Sequence, residues 1–323
     1  MSDFWKPFPE TARDLTRVRS VLEDLLKAAP KPVGTELARL FGSGGKALRP
    51  AFFLLAARSG DFKDSFYTLA AALELLHLAT LIHDDVIDEA ALRRGEESLQ
   101  ARAGPAQAVL YGDLLFAACF NLVTESVEPS QARGLARVVG LMAAAEILQH
   151  QDRHQIGTSV RHALRKIMGK TAALFSLCFS TGATVSGQDS ATIQIYRRFG
   201  YCLGMAFQII DDILDLTSQA ATLGKPAGWD LAHGIYTLPV VLALRAETGP
   251  SRALRGALKV IPASDRSREA IEAELVSSGA IAEARCIAGL YTDRARRELA
   301  RLPRDAHRDT LSAVLALLLD RQY

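Results

Sequence analysis

The sequence predicts an all-α protein, a single large helical bundle, on three observations. Apolar residues recur with helical periodicity through most of the chain, and no convincing run alternates as a strand would. Hydrophobic residues make up 49% of the chain and aromatic ones only 7%, an alanine- and leucine-rich balance that suits closely packed helices. The breaks between the periodic segments carry proline or glycine, among them Pro30, Pro32, Gly42 to Gly45, Gly95, Pro129, Gly187, Pro250, Pro262 and Pro303.

The first helix is expected over 10–29, closed by Pro30 and Pro32, and a glycine-rich stretch from Gly42 to Gly45 precedes the second at 48–58. The third, 64–90, carries a long apolar run and is followed by Gly95, which suits a helix end. Helices at 105–123 and 131–152 are divided by Pro129, and one at 159–185 stops before Gly187. A long helix over 190–218 ends ahead of Gly224 to Gly228. Segments 234–247, 251–260, 267–277, 280–301 and 306–321 complete the chain, punctuated by Pro250, Pro262 and Pro303. Pro239 lies inside a periodic segment and belongs in a first turn or at a kink, because an interior proline forfeits a backbone hydrogen bond. Nothing resembles a linker or a low-complexity tract, so one domain over 1–323 is expected.

Lysine plus arginine number 38 against 36 aspartates and glutamates, and a net charge of +2 gives no electrostatic reason for a nucleic-acid partner. The four cysteines, Cys119, Cys178, Cys202 and Cys286, are scattered and read as reduced core residues. The residues after Met1 lack the charged-then-apolar pattern of a signal peptide. No apolar stretch reaches about 18 residues without a charge, so no transmembrane segment and a cytoplasmic location are expected.

The chemistry is concentrated in an aspartate pattern that occurs twice, as Asp84-Asp85-Val86-Ile87-Asp88 and as Asp211-Asp212-Ile213-Leu214-Asp215. Each copy ends an apolar helical run, and residues four apart share a helix face, so Asp84 with Asp88 and Asp211 with Asp215 present carboxylates side by side. At about 4 Å and an effective dielectric of about 20, each pair repels by about 4 kcal/mol. A half-buried site holds so much negative charge only with cations among the carboxylates. Mg²⁺ is the natural choice, since it takes one or two carboxylates and completes its shell with water and substrate phosphates. Cations lie near both motifs: Lys46 and Arg49 in Gly44-Gly45-Lys46-Ala47-Leu48-Arg49-Pro50, Arg93 and Arg94 after the first motif, and Lys170 and Lys225 further on. The glycine-opened loop at a helix start is a candidate anion cradle. Two acidic clusters with separate cations call for phosphorylated ligands held through metal.

The ordered set formed by Gly44-Gly45-Lys46-x-x-Arg49-Pro50, His77, the first motif, Arg93-Arg94-Gly95, Gly112-Asp113, Glu146 with Gln149, Lys170-Thr171, Phe207-Gln208, the second motif, Leu223-Gly224-Lys225-Pro226 and Thr237-Leu238-Pro239 resembles a trans-type polyprenyl diphosphate synthase over about residues 40–320. The resemblance implies an all-α fold around a deep central cavity. It further implies head-to-tail addition of isopentenyl diphosphate to an allylic diphosphate such as geranyl, farnesyl or geranylgeranyl diphosphate. By this similarity Asp84, Asp85, Asp88, Asp211 and Asp212 bind Mg²⁺, three ions per active site, with Asp215 behind them. Arg93, Lys170 and Lys225 would hold the allylic diphosphate, and Lys46, Arg49, His77 and Arg94 the isopentenyl diphosphate. Lys170 and Thr171 with Gln208 would place oxygens near the carbocation, and the departing diphosphate would take the last proton. Ala47 stands where the family often has a second basic residue, and Ile235 where shorter-product members often have lysine.

In such enzymes the helix leading into the first motif sets product length. Thr80 and Ala79, four and five residues before Asp84, are small, with Leu75 and Leu76 one turn deeper and Phe116 and Phe120 available as a floor. A product beyond C20, at C30 to C40, follows. His150 and His154 flank Asp152 at a metal-compatible spacing, but their polar surroundings favour a surface position. A His83-Asp84 phosphohydrolase pair would leave the second motif unexplained. A terpene cyclase would not need Lys46, Arg49 and His77, and a non-catalytic subunit would be free to lose its aspartates. The family resemblance implies a homodimer, with a small accessory subunit as the variant arrangement.

Overall fold

Helices account for nearly all of the regular structure in the computed structural model, which describes residues 3–42, 44–93, 95–217, 229–245, 249–258 and 273–319. The chain divides into two compact units, Met1–Ala136 with Leu177–Tyr196, and Arg137–Ser176 with Arg197–Tyr323.

The first unit begins with a short 3-10 turn, Asp3–Trp5, and four helices: α1 (Pro9–Ala28), α2 (Lys31–Gly42), α3 (Leu48–Ala57) and α4 (Phe66–Ile87). Every residue of α3 except Arg49 is buried, because its sequence is apolar on all sides. Phe52 stacks on Phe179 with ring centroids 4.9 Å apart, and Gly182 lets that neighbouring helix close on α3, since a Cβ there would lie 2.2 Å from the Phe53 carbonyl. Asp14 of α1 is buried and fully occupied. It accepts from Arg58 Nε and Nη2 at 2.8 and 2.7 Å and from the Tyr67 hydroxyl at 2.8 Å, tying α1 to the end of α3 and the start of α4.

Two elements differ from the sequence expectation here. Residues 31–42 form α2, although Pro30 and Pro32 mark a break; prolines are tolerated in a first turn, where the missing N–H has no helical partner. Gly95 does not end a helix. It sits at φ +81° in the turn of a small antiparallel hairpin, β1 (Leu92–Arg93) with β2 (Glu96–Glu97), and α4 has already stopped at Asp88. Beyond the hairpin come α5 (Leu99–Ala103) and α6 (Pro105–Ser126). Helices α4 and α6 are each long and apolar enough by composition to cross a bilayer. In this fold α4 is a core helix, whereas α6 leaves Val109, Leu110 and Leu114 exposed.

Further along lie α7 (Pro129–Gln151), α8 (Val160–Ile167), α9 (Ala173–Val185) and α10 (Ser190–Thr217). The helix expected over 159–185 is interrupted by a π turn at Met168–Ala172, which separates α8 from α9. The second unit is completed by α11 (Trp229–Ala232), α12 (Leu238–Arg245), α13 (Gly249–Leu258), α14 (Ala280–Leu299) and α15 (Ala306–Leu319). Its core joins Met205, Ile209 and Ile213 of α10 to the buried α12 and to an alanine face, Ala280, Ala284 and Ala288, on α14. Pro239 occupies the first turn of α12, as its chemistry requires. Most of the segment expected to be helical over 267–277 lies outside the described residues. Cys119, Cys178 and Cys202 are buried as expected; Cys286, on the outer side of α14, is exposed.

Candidate active site

Within the first unit, one stripe of α4 carries the acidic motif. His77, Asp84 and Asp88 are separated by seven and four residues, which keeps them on one face, and all three are half-buried. Asp85 points elsewhere and is buried. Its carboxylate receives Arg93 Nε at 2.6 and 2.8 Å and Nη2 at 2.6 Å, so the sequence's expected metal ligand and expected diphosphate ligand grip each other. The helix stops here for a backbone reason: Glu89 adopts φ +49°, and the Ala90 N–H returns to the Asp85 carbonyl at 2.9 Å, closing the last turn. That closure sets the motif at the helix end and starts the hairpin that brings Arg93 back onto Asp85.

The Lys46–Arg49 segment is the second element of this unit. Gly44 and Gly45 have φ +81° and +137°, and Ala47 is left-handed at φ +47°, so the loop folds tightly into the amino end of α3. No side chain caps that end, and its backbone N–H groups lie beside the half-buried Lys46 and Arg49. This is the arrangement in which a helix start accepts an anion.

Within the second unit, the π turn places Lys170 and Thr171. Gly169 allows α7 to approach, since a Cβ there would stand 2.7 Å from Ala145 Cβ. Gly204 allows α10 the same closeness to Ala172. From that turn the Thr171 hydroxyl donates to Gln208 Oε1 at 2.6 Å, and Gln208 Nε2 donates to Asp212 Oδ1 at 2.9 Å. Lys170 Nζ rests 2.8 Å from Glu146 Oε1, and Gln149 donates to the same carboxylate. Glu146 therefore holds Lys170 in place.

Asp212 is buried, while Asp211 is exposed and Asp215 half-buried. Burial pushes the Asp212 carboxyl well above the usual carboxylate range; the Gln208 amide opposes this, and Asp230, Asp211 and Asp215 add to it. Asp230 was not legible as a site residue in the sequence. It lies in the first turn of the four-residue α11, and its backbone N–H donates to Asp215 Oδ2 at 3.4 Å. Three carboxylates around a buried fourth form a set that hard cations would relieve. Among the described residues no three such side chains already converge on one point. An ion that takes one or two carboxylates and fills its shell with phosphate and water, as Mg²⁺ does, fits this donor set.

Of the remaining expected residues, Arg94 and Lys225 lie outside the described residues. Thr80, Phe116 and Phe120 are half-buried, whereas Ala79 and Leu76 are fully buried. Helices α4 and α6 run antiparallel. Gly112 admits the His83 ring, which donates to the Val109 carbonyl at 3.2 Å and lies 5.5 Å from the Phe116 ring. Phe116 and Phe120 thus stand one turn apart beside the stretch of α4 behind Asp84. With His83 spent on α6, it supplies no metal ligand of the phosphohydrolase kind. His150 and His154 are both exposed and share no helix face, because α7 ends at Gln151. Between them Asp152 binds His162 Nε2 at 2.7 Å and the buried Lys166 at 3.1 Å, a structural cluster the sequence did not reveal.

Comparison with known proteins adds the following. Residues 31–275 match the family described as polyprenyl synthetase. The chain is 34% identical over 314 residues to heptaprenyl diphosphate synthase component 2 of Bacillus subtilis, covering 96% of this chain and 88% of that one. Its fold matches heptaprenyl diphosphate synthase from Staphylococcus aureus with a TM-score of 0.91 at 29% identity, over 97% and 99% of the two chains. It also matches polyprenyl synthase from Caulobacter crescentus, complexed with calcium and isoprenyl diphosphate, with a TM-score of 0.90 at 34% identity, over 97% and 96%.

Proposed function

Because the chain belongs to the polyprenyl synthetase family, we propose that it is a prenyltransferase that adds isopentenyl diphosphate head-to-tail to geranyl, farnesyl or geranylgeranyl diphosphate, giving an all-trans polyprenyl diphosphate of C30 to C40. The observation that carries the reading is Asp212, a buried carboxyl with Asp211, Asp215 and Asp230 around it, joined by hydrogen bonds through Gln208 to Thr171.

Asp84 and Asp88 of the first motif and Asp211 and Asp212 of the second would hold Mg²⁺, three ions in all, with Asp215 and Asp230 beside the second motif. When bound, these ions neutralise the charge that grows on the leaving diphosphate. Asp85 acts through Arg93, fixing the guanidinium whose planar fork suits phosphate oxygens. Lys170 and Lys225 would supply further cations to the same diphosphate, with Glu146 setting the position of the first. Lys46 and Arg49 would hold isopentenyl diphosphate at the start of α3, together with His77 and Arg94. Once the allylic carbon–oxygen bond breaks, the Thr171 and Gln208 oxygens would face the carbocation. The new carbon–carbon bond leaves one proton to lose, and the departed diphosphate accepts it.

The heptaprenyl (C35) names of two relatives support the length range, as do small Thr80 and the Phe116 and Phe120 pair. The outward Val109, Leu110 and Leu114 of α6 support a homodimer through that helix. The Bacillus relative's designation as component 2 supports a small accessory subunit as the second arrangement. Four thiols, none in a disulfide, support a reducing, cytoplasmic setting. Replacing Asp84 or Asp211 with alanine should lower turnover at least roughly 100-fold if they hold catalytic metal. Near-normal turnover in both variants would sink the assignment.

A further inference from the structure

The amino-terminal turn is engaged with the Lys46 loop in a way the proposed reaction does not explain. Trp5 is fully buried, and its indole Nε1–H, the side chain's one polar group, donates to the Lys46 carbonyl 41 residues away. Phe4 packs edge-on against Trp5, with centroids 4.8 Å apart and planes at 82°, and presents its own ring to Lys46 Nζ at 5.1 Å. One turn of chain therefore holds Lys46 at both ends, by its carbonyl and by its ammonium.

That grip falls where the backbone most needs it. The next residue, Ala47, is left-handed at φ +47° and ψ +46°, a conformation unfavourable for alanine, and its carbonyl then receives the Ala51 N–H to start α3. Gly44 and Gly45 on the other side impose little direction of their own. With the Trp5 bond gone, the segment from Gly44 to Ala47 loses its tie at the Lys46 carbonyl and is expected to sample other orientations of the lysine.

We infer that Trp5 and Phe4 are positioning residues for isopentenyl diphosphate: Trp5 fixes the Lys46 carbonyl, and Phe4 holds the ammonium directed for the diphosphate at the α3 start. The inference rests on the reading that Lys46 and Arg49 bind that diphosphate. A role in the fold alone would weaken both substrates and the whole protein alike. A positioning role weakens one substrate.

The test is titration calorimetry of isopentenyl diphosphate into the metal-free full-length chain in chelator, for wild type, Trp5→Phe, Phe4→Leu, Lys46→Ala and the double variant Trp5→Phe with Lys46→Ala. KM for both substrates and melting temperature are measured alongside. Trp5→Phe keeps the ring and removes only the N–H, so Kd and KM for isopentenyl diphosphate should rise roughly five-fold, the worth of one hydrogen bond. KM for the allylic substrate should change less than about two-fold, and in the Lys46→Ala background the Trp5 change should add nothing. Phe4→Leu, which sits on the half-exposed side of the turn, should show the same selectivity and serves if Trp5→Phe lowers the melting temperature. Unchanged isopentenyl diphosphate affinity in both Trp5→Phe and Phe4→Leu, with Lys46→Ala impaired, overturns the inference and leaves the loop assignment standing. Unchanged affinity in Lys46→Ala overturns both. Equal weakening of the two substrates assigns Trp5 to the fold and also overturns the inference.

Discussion

Replacing Thr80 with phenylalanine should cut the product from the C30 to C40 range to about C15. Thr80 precedes Asp84 by four residues, about 6 Å along α4. A diphosphate held through Mg²⁺ beyond the carboxylates stands the tail off by about as much again, at about 2 Å for each metal–oxygen bond. A wall at Thr80 therefore leaves about 12 Å of path. One prenyl unit is four carbon–carbon bonds of about 1.5 Å, which zigzag to about 5 Å, so two to three units fit where a C35 chain needs seven. Thr80 is the better site than Ala79 because it is half-buried, whereas Ala79 is fully buried and a ring there would overpack the helix. The assay is radiolabelled isopentenyl diphosphate with geranyl diphosphate, dephosphorylation and reversed-phase separation, with Thr80→Val as the control of unchanged shape. First-condensation rates should stay within a few-fold of wild type. A Thr80→Phe ladder still ending beyond C30, from a folded protein, would refute the claim that the tail passes this turn of α4.

Three other outcomes follow from the same geometry. Arg93→Ala removes the guanidinium from the buried Asp85 carboxylate, which should cost about 3 kcal/mol in denaturant unfolding as well as activity; an unchanged midpoint would mean the pair is not formed in solution. Thr171→Val removes the donor to Gln208 Oε1 and should cost about 1 kcal/mol and lower kcat, while Thr171→Ser retains both; equal behaviour of the two variants would dismiss the hydroxyl. Burial pushes the Asp212 carboxyl above the usual carboxylate range in the fold but not in the unfolded chain, so folding takes up a proton between the ordinary and the raised value. Metal-free stability from this group should thus be full below the ordinary carboxylate range and fall as pH rises toward the raised value. Asp212→Asn should flatten that slope in melting curves, and Mg²⁺ with diphosphate should recover stability at neutral pH; a slope identical in wild type and variant would contradict the assignment.

How much of this was legible beforehand follows from where each signal resides. The paired aspartates are read directly, because spacing on a helix fixes which carboxylates share a face; α10 is strongly periodic, and α4 is long and apolar enough to read as a helix. The split role inside the first motif was not legible. Asp85 and Arg93 meet only because Glu89 turns left-handed and the hairpin folds back, and nothing in the residue types announces that turn. The same holds for the π turn at Met168–Ala172, which keeps helical composition while shifting register by one residue at Lys170 and Thr171. Asp230 escaped because α11 is too short to show a period. Helix α2 escaped because prolines read as punctuation whether they end a helix or begin one.

The central claim is that this chain extends allylic diphosphates beyond C20. Incubating the purified protein with Mg²⁺, labelled isopentenyl diphosphate and farnesyl diphosphate, then sizing the dephosphorylated products, tests it directly. The account predicts a ladder ending between C30 and C40. A ladder ending at C20 would contradict the length assignment. No incorporation from geranyl, farnesyl or geranylgeranyl diphosphate, even with a small accessory subunit supplied, would contradict the synthase reading itself.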